Sequence, residues 1–142
     1  MLENQKKTLL WLVVGQLLCL IIIAVWVVGS DALRDLLGTV PFFGASILLV
    51  LLGVILAVLI KKYKVVKPVK TFLLMSGYSA IYFLPATVVH NFLEVGGEQL
   101  GGILGGIMSF LGAAFFLTSV IGVPITLLVG IIGSLVLLLK KR

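Results

Sequence analysis

Ser76, Ser79, Thr87, His90 and Asn91 recur at spacings that place them, on an α-helix, within one stripe about 120° wide. Tyr78, Tyr82 and Pro85 fall roughly opposite. Glu94 stands four residues past His90, close enough on a continuing helix to pair with it. Hydroxyls and an imidazole on one face can line a path for an ion or a small solute. Pro85 would assist by leaving the carbonyl of Ile81 without its helical donor. Gln16 contributes a side-chain amide, with Cys19 beside it on the same helix face. The competing reading is plainer: Ser and Thr in apolar helices bond their own backbone or the next helix, and a Gln pairs across helices. Acid–base chemistry on a lipid would need a cleft joining Tyr82, His90 and Glu94.

Other chemistry is excluded by what the 142 residues lack. A single cysteine rules out a redox-active pair, and a single histidine rules out a His-rich metal centre or an HExxH site. No ionisable residue falls in the middle of an apolar run, where a proton-coupled exporter of the small four-helix type carries a carboxylate. The glycines of 96–106 follow no strand and so do not form a nucleotide loop. No enzyme, cofactor or metal is expected.

The elements that must position these residues follow from composition. The chain is 61% hydrophobic and 11% charged, with a mean hydropathy of +1.31. Soluble domains carry about 25% charged residues, and apolar runs of about 20 residues match a hydrocarbon core of about 30 Å. The expected fold is an all-α membrane bundle, a single domain with helices over 8–29, 40–60, 71–92 and 113–139. Lys6 and Lys7 precede the first run as in a signal peptide, but its length exceeds the usual 7–15 apolar residues, so it reads as a retained span. Trp11 and Trp26, about 22 Å apart at helical rise, suit the two interfaces. Residues 30–38 form a short connection capped by Ser30, with Leu33, Leu36 and Leu37 as its apolar side and Asp31, Arg34 and Asp35 toward headgroups.

Charge gives the orientation. Lys6, Lys7, Lys61, Lys62, Lys64, Lys67, Lys70, Lys140, Lys141 and Arg142 are ten of the eleven bases, while Asp31, Asp35, Glu94 and Glu98 lie in the other connections beside Arg34. One face then carries +9 (ten bases less Glu3) and the other −3, which sums to the net +6. Basic segments stay cytoplasmic, so both termini are expected inside the plasma or inner membrane. The basicity is topological and implies no nucleic acid. Its expected partner is anionic lipid, at about 1 kcal/mol per base, with residues 61–70, Lys140, Lys141 and Arg142 at the headgroups.

Two small-residue patterns predict helix contact. Gly53 and Ala57 form a small-xxx-small pair in the second span. Ala114, Thr118, Gly122, Thr126, Gly130 and Ser134 extend the same pattern along the last, which Pro124 is expected to bend by freeing the carbonyl of Val120. Between the third and last spans, residues 96–112 hold seven glycines. Two full crossings after residue 100 would put the basic tail on the acidic side. This segment is therefore expected at the interface or re-entrant, ahead of one last span.

With HNF in the third span and IGVPITLLVGIIGSLVLLLKK in the last, the chain resembles a loose group of small four-span membrane proteins of bacteria and archaea. The resemblance covers the second half of the chain. It implies a four-span fold and gives no role to any residue. The function expected from the residues is a helix-packing scaffold or accessory subunit that self-associates or binds another membrane protein. The alternative is a small transporter or channel using the polar face of the third span.

Overall fold

The structure, a computed structural model, describes residues 2–140, and of Leu33, Leu36 and Leu37 the backbone alone. All its regular elements are helical: α1 (Glu3–Val28), α2 (Asp31–Leu37), α3 (Val40–Lys62), α4 (Lys67–Leu100), α5 (Gly102–Leu117), a π-helical turn (Thr118–Gly122) and α6 (Val123–Leu139). Four stretches are long and apolar enough to cross a membrane, of 26, 23, 34 and 38 residues, the last being α5, the π turn and α6 together. In a medium without water, a helix satisfies the backbone N–H and C=O groups of such Leu-, Ile- and Val-rich runs within the run itself. Together these features support a membrane protein built as a four-helix bundle.

Each long helix packs on its neighbour in chain order, and α6 closes the ring against α1. Leu9, Val13, Leu49, Leu56, Leu73, Leu127, Ile131 and Leu138, all at most 1% exposed, fill the centre. Glycines set the closest crossings at mid-height. A Cβ on Gly53 would stand 2.8 Å from the carbonyl oxygen of Gly77, and one on Gly130 would run into the backbone of Phe72 and Ser76. Gly15 meets Leu52 at the same level, so Gln16 lies in this layer.

One end of the bundle is basic and the other acidic. Lys6, Lys64 and Lys140 line a common cleft, which puts the start of α1, the α3–α4 connection and the end of α6 together. At the acidic end the α1–α3 connection is tied down by Trp26, whose Nε1 donates to the Gly38 carbonyl (2.9 Å). Arg34 donates through Nε and Nη2 to Gly29 (3.2 and 3.1 Å) and pairs with Asp31. The apolar side drawn from Leu33, Leu36 and Leu37 lies outside the described residues.

The glycine-rich segment is helical, and the last apolar stretch begins earlier than the expected residue 113: α4 runs to Leu100, α5 begins at Gly102, and the two form a helical hairpin. The turn uses Gly101 and Gly102 at φ +60° and +58°, a conformation that side chains resist. Below it Gly97 and Gly105 bring the two backbones into contact, and the same lack of Cβ that weakens an isolated helix permits this approach. Since Gly53 meets Gly77, counting 13 residues toward the acidic end from each brings Val40 level with His90. Residues 91–100 therefore project about 15 Å beyond the start of α3.

Pro124 is also accommodated differently from expectation. The π turn precedes it, Val123 donates to the carbonyl of Thr118 five residues back, and Pro124 takes the second position of α6, where its missing N–H costs least. α4, by contrast, runs as one α-helix through Pro85.

Candidate functional site

Tyr78, Tyr82 and Pro85 share one side of α4, and the widened turn at 118–122 stands beside them. Between the two lies an outward-opening groove of about 580 Å³, walled by Tyr78, Ser79, Ile81, Tyr82 and Pro85 on α4 and by Thr118, Gly122, Val123 and Thr126 opposite. A second hollow of about 360 Å³ shares Tyr78, Ser79 and Thr126 and extends the track toward Thr71. Its floor is a cross-helix bond, Ser79 Oγ to Thr126 Oγ1 at 2.8 Å. Thr126 directs its own proton at the carbonyls of Gly122 and Val123 (2.9 and 3.0 Å), so Ser79 is the donor to Thr126.

The groove offers little steric resistance and several unused polar atoms. Gly122 has only the methyl of its own Thr118 within 4 Å of where a Cβ would stand. Tyr78 and Tyr82 are 54% and 41% exposed, and neither phenol has a hydrogen-bond partner among the described residues. Pro85 supplies no N–H to the carbonyl of Ile81, a groove residue. A helix entering here meets small residues along one wall and hydroxyls along the other.

The polar residues of α4 do not form one cleft. Ser76 is fully buried and bonds the carbonyl of Leu73 (3.2 Å), and Thr87 bonds that of Phe83 (3.0 Å). Ser79 and Tyr82 belong to the groove. His90 belongs to the hairpin: its Nδ1 lies 2.9 Å from the Gly112 carbonyl oxygen, its Nε2 lies 3.2 Å from Glu94 Oε2, and its ring packs on Phe116. Nδ1 therefore carries a proton and donates to Gly112. Asn91, Glu94 and Glu98 stand 18 residues, five turns, beyond Leu73, Ser76 and Ala80, and so extend the buried stripe of α4. Above the start of α3 that stripe has no helix to face, and its residues are exposed. Tyr82 thus lines the groove, whereas His90 and Glu94 belong to the hairpin. Gln16 and Ser134 are fully buried, and neither the Gln16 amide atoms nor the Ser134 hydroxyl has a hydrogen-bond partner among the described residues.

The small-residue ladder is divided. Gly130 and Ser134 are buried within the chain, while Ala114, Thr118 and Thr126 are exposed and Gly122 is half-buried. Gly53 is buried against α4, and Ala57 lies beside Gly77. Lys61 and Lys62 end α3, Lys64 sits in the connection, Lys67 and Lys70 open α4 and Lys140 follows α6, all exposed; Lys141 and Arg142 lie outside the described residues.

Family models, curated proteins and solved structures were all compared with the chain, and none matches. The site therefore stands on its own geometry. The sequence places Tyr78, Tyr82 and Pro85 on one side of α4 and the ladder along the last span, with no sign that the two meet. The spacing of Tyr78, Tyr82 and Pro85 was the available signal; the π turn that turns Gly122 toward them left none.

Proposed function

We propose that this chain is a non-enzymatic membrane protein that works by helix–helix association, docking a transmembrane helix of a second copy or of another membrane protein in the α4–α6 groove. The observation that carries the reading is the unoccupied part of the ladder, Thr118, Gly122 and Thr126, across the groove from two phenols without a partner among the described residues. Association in lipid is driven by close backbone approach and by polar groups that find partners, and the groove offers both. The segregation of basic and acidic ends supports cytoplasmic termini, with the α4–α5 hairpin at the outer interface.

Gly122→Leu should shift the detergent-solubilised protein to monomer and remove co-purifying membrane proteins. In native membrane, a cysteine replacing Thr118 on a Cys19→Ser background should cross-link, whereas one replacing Ile132, exposed elsewhere on α6, should not. An unchanged oligomer distribution and unchanged co-purifying proteins in Gly122→Leu, with no Thr118→Cys cross-link, would sink the proposal.

The transporter reading now rests on one observation, the buried and unpartnered amide of Gln16 at mid-height. It expects reconstituted protein to move an ion or small solute, with altered flux in Gln16→Leu. Liposomes inert across a broad solute panel would dispose of it.

A further inference from the structure

Lys6, Lys64 and Lys140 come from distant parts of the chain and converge on a cleft of about 450 Å³ at the basic end. Each is placed by its own local structure. Lys6 sits in the second turn of α1, whose start is held by a bond from the Leu2 N–H to Gln5 Oε1. Lys64 is the central residue of a tight turn closed by the Val65 N–H on the Tyr63 carbonyl (2.9 Å). Lys140 follows α6 and donates its N–H to Val136. The wall between them is apolar, with Leu137 and the buried Val69 and Leu138. Among the described residues no carboxylate lines the cleft, and none of the three ammonium groups is in an ion pair. Glu3, the acid closest in sequence, is exposed and is not part of the wall.

Three like charges around an apolar hollow repel one another until an anion joins them. The group they fit is a phosphate, which accepts from several ammonium donors at once. A free phosphate would leave the hydrocarbon wall unused, whereas a phospholipid would cover it with an acyl chain. We propose that this cleft is a specific site for an anionic phospholipid of the leaflet at the basic end, its phosphate held by Lys6, Lys64 and Lys140 and a chain lying over Val69, Leu137 and Leu138. The site is independent of the α4–α6 groove, so loss of one leaves the other standing.

The test is native mass spectrometry of the full chain in detergent, titrated with phosphatidylglycerol, phosphatidylcholine or inorganic phosphate. Phosphatidylglycerol should bind one to one and phosphatidylcholine far more weakly. The triple variant Lys6→Gln, Lys64→Gln, Lys140→Gln should weaken phosphatidylglycerol binding about a hundredfold, at about fivefold per lysine. Removing the same charge outside the cleft, as Lys61→Gln, Lys62→Gln, Lys67→Gln, should weaken it less than about threefold, because the contact is local. Equal losses in the two triples would show diffuse electrostatics and overturn the site. Undiminished binding in the first triple, or equal binding of phosphatidylcholine, would do the same. Displacement of the lipid by millimolar inorganic phosphate would assign the cleft to a free anion. Helicity and elution matched to the parent exclude misfolding, and the single Lys→Gln variants carry the test should the triple not fold.

Discussion

The mid-height crossing and the α4–α6 groove are built from the same material and end in opposite states. At the crossing, Gly53 meets Gly77 and Gly130 meets Ser76 with no room for a methyl group. Two turns from Gly130 along the same ladder, Gly122 faces a groove with almost nothing near it. Spacing tells that a helix can be approached closely; it does not tell by which helix. The boundary falls within α6, between Thr126 on the groove and Gly130 against α4, so one row of small residues serves two surfaces.

Substitutions that enlarge each glycine sharpen the contrast. Gly130→Leu should have the largest effect, since its side chain must displace the α4 backbone: a loss of about 3 kcal/mol in an SDS or urea unfolding titration, or no folded monomer at all. Gly53→Ala should cost about 1–3 kcal/mol in the same assay, because its Cβ would meet the Gly77 carbonyl and the Ala80 methyl. Stability unchanged by either would mean that the crossing is looser than described. At the groove floor, a double-mutant cycle of Ser79→Ala and Thr126→Val should return a coupling of about 0.6 kcal/mol, in line with hydrogen bonds between membrane helices. The smallest effect on the monomer belongs to Gly122→Leu, within about 0.5 kcal/mol of the parent, although it should abolish assembly. A Gly122→Leu monomer as damaged as Gly130→Leu would erase the distinction between the two regions.

How much of this was legible varies with the kind of question. Helix positions were readable because length and hydropathy decide them, and the basic and acidic ends were readable because charges cannot be hidden in apolar runs. The extent of the glycine-rich segment was not. Local propensity treats Gly97, Gly101, Gly102 and Gly105 alike as helix-weakening, whereas the fold uses two of them for a turn and two for backbone contact. The polar stripe of α4 was legible as a stripe but not as three separate fates: bonds to its own backbone at Ser76 and Thr87, the groove floor at Ser79, and the hairpin clasp at His90.

The amino-acid sequence by itself determined that this chain is helical, that four stretches are long and apolar enough to cross a membrane, and that its charges segregate to opposite ends. Those outcomes depend only on local length, hydropathy and charge. Tertiary structure alone decided that Gly130 is enclosed while Gly122 is open, and that Lys6, Lys64 and Lys140 surround one cleft. Both depend on which helices become neighbours and how each is rotated. A row of small residues, like a lysine at a helix end, offers the same contact to any neighbour until packing selects one.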